Sequence, residues 1–276
     1  MDLETVLSEL HFEPVIGKAV AEKIKKNERL IGEIAETAYG GNDFDFPLCK
    51  RMPLTRLAVV TYILKLKYSQ YKAIGASDDV IWDTFGDVAL RANYYWKRNG
   101  KIGISKEDVI WFRHIMHVSI FKIGVLQFQN FEMLYLDEET IGEAAEEQKK
   151  ELPNGAPVIN CHIQRDADIS LDLVKESLEQ AKLLFAKCFP NIQYKAFLCY
   201  SWLLYPPMLK SLANESNIKR FAGLFSIIGA CNDSKQAMEN LFDHGKPNAS
   251  DNLTSLQRMA MEHPDILGFG CGIIRI

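Results

Sequence analysis

The sequence has no surplus of positive charge. Its 32 Lys and Arg face 36 Asp and Glu, for a net charge of −4. A protein that grips nucleic acid through its phosphates needs cations to displace counterions, so no nucleic-acid partner is expected. No uncharged apolar run approaches the roughly 18 residues a membrane-spanning helix requires, so no membrane segment is expected. The start, Met1-Asp2-Leu3-Glu4, has no basic segment leading into an apolar one, and no secretory signal is expected. No C-x-x-C pair occurs. Cys49, Cys161, Cys188, Cys199, Cys231 and Cys271 stand apart, some inside apolar runs such as Phe197-Leu198-Cys199. They read as buried reduced thiols, which suit a reducing, cytoplasmic setting. A dinucleotide fingerprint is also missing: Gly268, Gly270 and Gly272 do not make G-x-G-x-x-G, and no helix follows them. There is no internal repeat.

What is present is ordinary globular material, 47% apolar and 25% charged over 276 residues, enough for one large domain or two small ones. The first part reads as helices. Glu13 to Lys26 carries Val15, Ile16, Ala19, Val20 and Ile24 at the spacing of one helical face. Pro53 opens a long helix to about Ala73. Ser77 caps another, which Gly100 stops in a left-handed conformation. Ser105 and Asp108 form a capping box for a fourth, ending near Val118.

The pattern then changes period. Phe121 to Gln129 and Phe131 to Leu136 read as strands about a turn or bulge at Asn130, and the acidic stretch Asp137 to Glu151 as a solvated loop. Val158 to Gln164 is a strand. Leu171 to Phe189 is an amphipathic helix capped by Ser170. Lys195 to Leu204 is a strand buried on both faces. A short helix from Pro206 to Ala213 and a strand from Phe221 to Cys231 follow. Helical pieces lie at Gln236 to Phe242 and Ser255 to Glu262, and Ile266 to Ile276 is a closing strand. The fold class is therefore α/β in the α+β arrangement. An all-helical N-terminal region, residues 1–119, precedes a mixed β-sheet domain with flanking helices, residues 120–276. The strand–helix–strand unit should be a right-handed parallel crossover.

Several stretches resemble a bacterial family with a helical N-terminal domain and a GNAT-like acyltransferase domain. They are Ile120 to Phe128, Cys199-Tyr200-Ser201-Trp202-Leu203-Leu204, Ser216 to Phe221 and Thr254 to Arg258. Pro53-Leu54-Thr55-Arg56-Leu57 and the spacing of Tyr71, Gly75, Thr84, Asp87 and Trp96 extend the likeness through the first half. The resemblance implies acetyl-CoA or another acyl-CoA as cofactor, an amine of a small molecule or peptide as acceptor, and a phosphate-binding loop before the amphipathic helix. That slot holds Gln164, Arg165, Asp166, Ala167, Asp168, Ile169 and Ser170. Loop amides with a helix N-terminus behind them would hold the diphosphate. Two departures stand out. Ala167 and Ile169 replace small residues of the family's Gln/Arg-x-x-Gly-x-Gly/Ala pattern, and Tyr200 stands where relatives have His.

Acyl transfer to an amine needs a polarised thioester, a base for the acceptor and a proton for the leaving thiolate. His162, on the strand entering the loop, is the candidate base; the alternative is a strand histidine satisfied by a backbone carbonyl. Tyr200 and Ser201 are candidate acids on opposite faces of the next strand, with Trp202 on the Tyr200 face. Glu132 is a second candidate base. Gln127, Asn217 and Arg220 are candidate substrate contacts, Arg220 as a partner for an anionic group. Cys199 reads as inert when buried. His114 and His117 share a helix face but lack a third ligand, so no metal site is expected. The rival readings are a GNAT-like binding or scaffold protein without catalysis, and a small-molecule binder independent of CoA.

Overall fold

The computed structural model describes residues 1–41, 44–136, 146–242 and 253–276. The chain divides into two compact units, Met1–Lys122 and Ile123–Ile276. Among the described residues, the first unit holds α1 (Leu3–Glu9), α2 (Pro14–Lys26), α3 (Glu28–Thr37), a 3-10 turn (Pro47–Lys50), α4 (Pro53–Ala73), α5 (Asp78–Asn99) and α6 (Lys106–Met116). In α4, Leu57 to Thr61, Ile63 and Leu64 are buried on every side, so the helix must be enclosed. It is, with α1, α2, α3, α5 and α6 all packed on it. The end signals behave as their chemistry requires. Ser77 accepts the Val80 N–H, Ser105 and Asp108 make a reciprocal capping box, and Gly100 takes φ 62°.

The signature residues of this half are structural. Arg56, 8% exposed, donates to the carbonyls of Cys49 (2.8 Å) and Ile104 (3.2 Å). Tyr71 is fully buried and donates to the Ile120 carbonyl at 2.9 Å. Gly75 holds φ 95° just beyond α4. Thr84 accepts the Lys122 N–H at 2.8 Å. Asp87 accepts from Arg91 Nε (3.1 Å) and Trp111 Nε1 (2.7 Å). Burial pulls the Arg91 guanidinium down, and Asp87 and Asp108 more than offset it, leaving it above its ordinary range.

The second unit is built on a sheet whose strands are β1 (Ile120–Ile123, which straddles the division), β2 (Leu126–Glu132), β3 (Pro157–Ile163), β4 (Ala196–Ser201), β5 (Ser226–Cys231) and β6 (Phe269–Arg275). Helices α7 (Glu146–Glu151), α8 (Leu171–Cys188), α9 (Pro206–Ser211), α10 (Asn217–Ala222), α11 (Lys235–Leu241) and α12 (Ser255–Glu262) accompany it. The order is β1-β2-β3-β4-β6-β5. The β2/β3, β4/β6 and β5/β6 pairs are antiparallel and β3/β4 is parallel. A helical region followed by a mixed sheet with helices is the α+β class expected from the sequence.

Several boundaries differ from the sequence expectation. The first turn falls at Gly124-Val125, not Asn130, which pairs with Ile159 inside β2. Gly124 adopts φ 58°, and a Cβ there would collide with Ser177 Oγ, which accepts the Val125 N–H at 2.9 Å. Of the acidic stretch, 137–145 lies outside the described residues, and Glu146–Glu151 is helical rather than loop. β4 stops at Ser201 because its hydroxyl accepts the Leu203 N–H (3.1 Å) and turns the chain into a 3-10 turn, Trp202–Leu204. Trp202 is therefore off the strand. The expected strand from Phe221 begins instead at Ser226. Phe221 lies within α10, whose opening is signalled by the Arg220 N–H on the Ser216 carbonyl.

The glycines of the last strand have a packing cause. A Cβ on Gly270 would lie 2.5 Å from the Leu204 carbonyl oxygen, and one on Gly272 would lie 2.9 Å from Phe225 Cβ. The 3-10 turn and the segment after α10 rest against bare backbone. Gly270→Ala is expected to lower stability by about 1–3 kcal/mol, measured by urea unfolding. Unchanged stability would contradict the close approach.

Candidate active site

The sheet's face composition follows from its register. Antiparallel partners share a face, so Gln127, Gln129 and Phe131 of β2 project with His162, Asn160 and Val158 of β3. The pairing of Asn160 with Leu198 adds Leu198 and Tyr200 to that face. One end of it is apolar: Val158, Ala196, Leu198, Cys271 and Ile273 form a core cluster with Met133 and Leu152. The other end is polar and nearly as buried, with Gln127 1%, Gln129 6% and Asn160 4% exposed and His162 half-buried beside them. His162 Nε2 lies 2.9 Å from Gln129 Oε1. With the amide oxygen as acceptor, Nε2 carries the ring proton. Gln127 Nε2 and Asn160 Oδ1 are buried with no hydrogen-bond partner among the described residues. An unsatisfied buried amide costs about 1–3 kcal/mol, so two on one face call for a group that completes them.

This polar end lies where the sheet opens. The parallel ladder joins β3 to β4 at Ile159/Phe197 and Asn160/Leu198. It ends there, although β3 continues to Ile163 and β4 to Ser201. The neighbouring β2/β3 and β4/β6 ladders run on through those same residues, from Leu126/Ile163 and to Ser201/Gly270.

The remaining sequence candidates are spread out. Tyr200 is on the His162 face, and its hydroxyl donates to the Leu134 carbonyl. Its ring stacks on Phe269 and meets Phe131 edge-on. Burial raises its hydroxyl above the ordinary tyrosine range. Ser201, 5% exposed, faces the other way and supports the 3-10 turn. Glu132 is exposed, pairs with Pro157 and projects from the face opposite His162. Five residues along β2, it is about 17 Å from Gln127 at a strand's rise per residue. Asn217 and Arg220 lie on α10, both exposed, rather than at the edge of a strand. The structure thus brings His162 together with Gln127, and adds Gln129 and Asn160. These two were missed, though each is an amide inside an otherwise apolar strand segment, the kind of placement a buried core does not supply for free.

The loop from Gln164 to Ser170 opens with a turn in which the Ala167 N–H donates to the Gln164 carbonyl at 3.1 Å. Asp166 takes a left-handed φ of 60°. Ser170 occupies the N-cap position of α8 but makes no side-chain cap bond, contrary to expectation. Its own N–H is held by Asp168 Oδ1 at 2.9 Å. The carboxylate thus meets the N–H of the N-cap residue itself, one step before the first-turn N–H groups that a capping hydroxyl would take. Ile169 and Ala167 are half-buried, and Arg165 is exposed.

The family model for the GNAT-like C-terminal domain matches residues 120–267, more than half of the chain. The chain belongs to the GNAT-like C-terminal domain family. Solved structures extend the likeness to the whole fold. An acyltransferase in complex with decanoyl-CoA and teicoplanin is 16% identical with a TM-score of 0.75, covering 99% of this chain and 87% of that one. An acyltransferase in complex with decanoyl-CoA gives 16% and 0.72 at the same coverage. An acyltransferase mutant in complex with octanoyl-CoA gives 15% and 0.72, again at that coverage. At these identities the likeness is one of fold. No curated protein matches the chain.

The thiols of Cys199 and Cys271 are held protonated. All six cysteines are free. A hydrogen bond with Cys161, and then burial, push the Cys199 thiol well up. Burial pushes Cys271 up to about 12. A buried protonated thiol is a poor nucleophile. Native protein treated with a disulfide reagent at pH 8 should therefore leave Cys161, Cys199 and Cys271 unmodified while half-buried Cys231 reacts, as read by peptide mass mapping. Rapid labelling of Cys199 in folded protein would overturn its inert status.

Proposed function

We propose that the chain transfers an acyl group from an acyl-CoA to an amine of a small molecule or peptide. The observation that supports it is the early end of the β3/β4 ladder beside His162, in a fold shared with acyltransferases holding decanoyl-CoA and octanoyl-CoA. The thioester lies in the parting, with β3 backbone amides polarising its carbonyl. The amine attacks that carbon, and the C–S bond breaks as the C–N bond forms. His162 accepts the proton the amine loses and is the group placed to return it to the thiolate. Gln129 fixes the imidazole ring. Gln164 to Ser170 and the first turn of α8 take the diphosphate. Tyr200 positions the Leu134 segment through its hydroxyl, and Glu132, Ser201, Asn217 and Arg220 stand outside the reacting atoms.

A second reading, a GNAT-like binding or scaffold protein without turnover, is favoured by one observation: Asp168 already holds the Ser170 N–H. Its charge sits where a diphosphate would.

Calorimetric titration with octanoyl-CoA and acetyl-CoA tests both. The proposal expects saturable binding and turnover against an amine panel. His162→Ala should lower kcat at least about tenfold, within the usual range for a general base, and leave octanoyl-CoA affinity unchanged. Unaltered kcat would remove His162 as the base. Binding with no turnover on any amine would favour the second reading. Asp168→Asn keeps an acceptor for Ser170 and deletes the charge. It should tighten octanoyl-CoA binding roughly threefold at low salt, the size of an exposed charge effect, and less as salt rises. No change would show that the diphosphate does not bind at this loop.

A further inference from the structure

Gln127 and Asn160 carry more information than their burial. Both are neutral amides, so together they offer donors and acceptors but no net charge. Gln127 Nε2 needs an acceptor and Asn160 Oδ1 needs a donor. They stand on the same face one diagonal apart, since Gln127 pairs with His162 and Gln129 with Asn160. Diagonal neighbours on antiparallel strands have backbones about 7–8 Å apart, within reach of each other's long side chains, so both amide ends can meet one planar amide group on that face. An anion would leave Asn160 Oδ1 facing like charge, and an ammonium would leave Gln127 Nε2 without an acceptor. An aliphatic group would satisfy neither. A group presenting a carbonyl and an N–H side by side satisfies both.

We propose that Gln127 and Asn160 form a subsite for an uncharged amide group of the substrate, beside the His162 base. This rests on the acyl-transfer reading and narrows it. Two substrates carry such a group: an amine acceptor with a neighbouring carboxamide or peptide bond, and the pantetheine arm of the acyl-CoA.

The test follows the side-chain NH₂ resonances of Gln127 and Asn160 by NMR on the full chain, assigned by their loss in Gln127→Met and Asn160→Leu. Glycinamide, ethylamine and octanoyl-CoA are titrated separately. Shifts with glycinamide but not ethylamine support the proposal and place the amide on the acceptor. Shifts with octanoyl-CoA alone support it and place the amide on the pantetheine arm. Gln127→Met is then expected to weaken the effective probe at least about fivefold, and the double variant to melt no lower than wild type, because it removes two unsatisfied groups. No shift with either amide-bearing probe, or equal shifts with ethylamine, overturns the proposal. A double variant that melts well below wild type also overturns it, since the pair would then be satisfied by a structural water. Failure of the acyl-transfer reading is separately visible, as an absence of heat with octanoyl-CoA.

Discussion

The parallel register of β3 with β4 runs from Ile159/Phe197 to Asn160/Leu198, preceded by the Lys195 N–H on the Pro157 carbonyl, and the chemistry proposed for this molecule depends on where it stops. A strand end that lost its partner in an otherwise loose sheet would be a frayed edge. Here each strand is held on its outer side through the region of parting, β3 by β2 up to Leu126/Ile163 and β4 by β6 up to Ser201/Gly270. The two strand ends are therefore held in place by intact ladders on their outer sides, and the Cys161 and Cys199 thiols still meet across them on the opposite face. Below the parting, Val158, Leu198, Ile273 and Met133 form a dry floor. Above it, the same face changes to Gln127, Gln129, Asn160 and His162. The face changes from apolar to amide within two residues of each strand.

The same strands account for the residues that do not take part. Tyr200 shares the face of His162 but donates its hydroxyl hydrogen bond to the Leu134 carbonyl, and Ser201 is committed to the turn that ends β4. At the loop, Asp168 supplies an anion of the chain's own to the start of α8. The Ser170 N–H is thus met from within the chain.

Much of the fold was legible because its signals are local. Ser77, Gly100 and the Ser105–Asp108 box cap helices through contacts within a single turn, and the order of strands and helices follows from period and length. What sequence could not give is non-local. Gly124 is the turn because Ser177, far along the chain, leaves no room for a side chain. Phe221 to Phe225 is apolar enough to read as strand, yet helix and turn bury it as well. β6 lies between β4 and β5, and only Gly270 and Gly272, packed under Leu204 and Phe225, hint at that central place. The site was half legible. His162 and Gln127 were visible as polar residues on apolar strands. Gln129 and Asn160 obey the same rule, but their common face depends on a register that the misplaced turn at Asn130 would have shifted.

The central claim is that an acyl-CoA occupies the parting of β3 and β4. Backbone hydrogen exchange across residues 157–163 and 196–201, with and without octanoyl-CoA, tests it most directly. The account predicts added protection concentrated at Cys161 to Ile163 and Cys199 to Ser201, with Ile159, Asn160, Phe197 and Leu198 already slow and unchanged. Protection elsewhere in the chain, with these two strand ends unaffected by a saturating ligand, would contradict it.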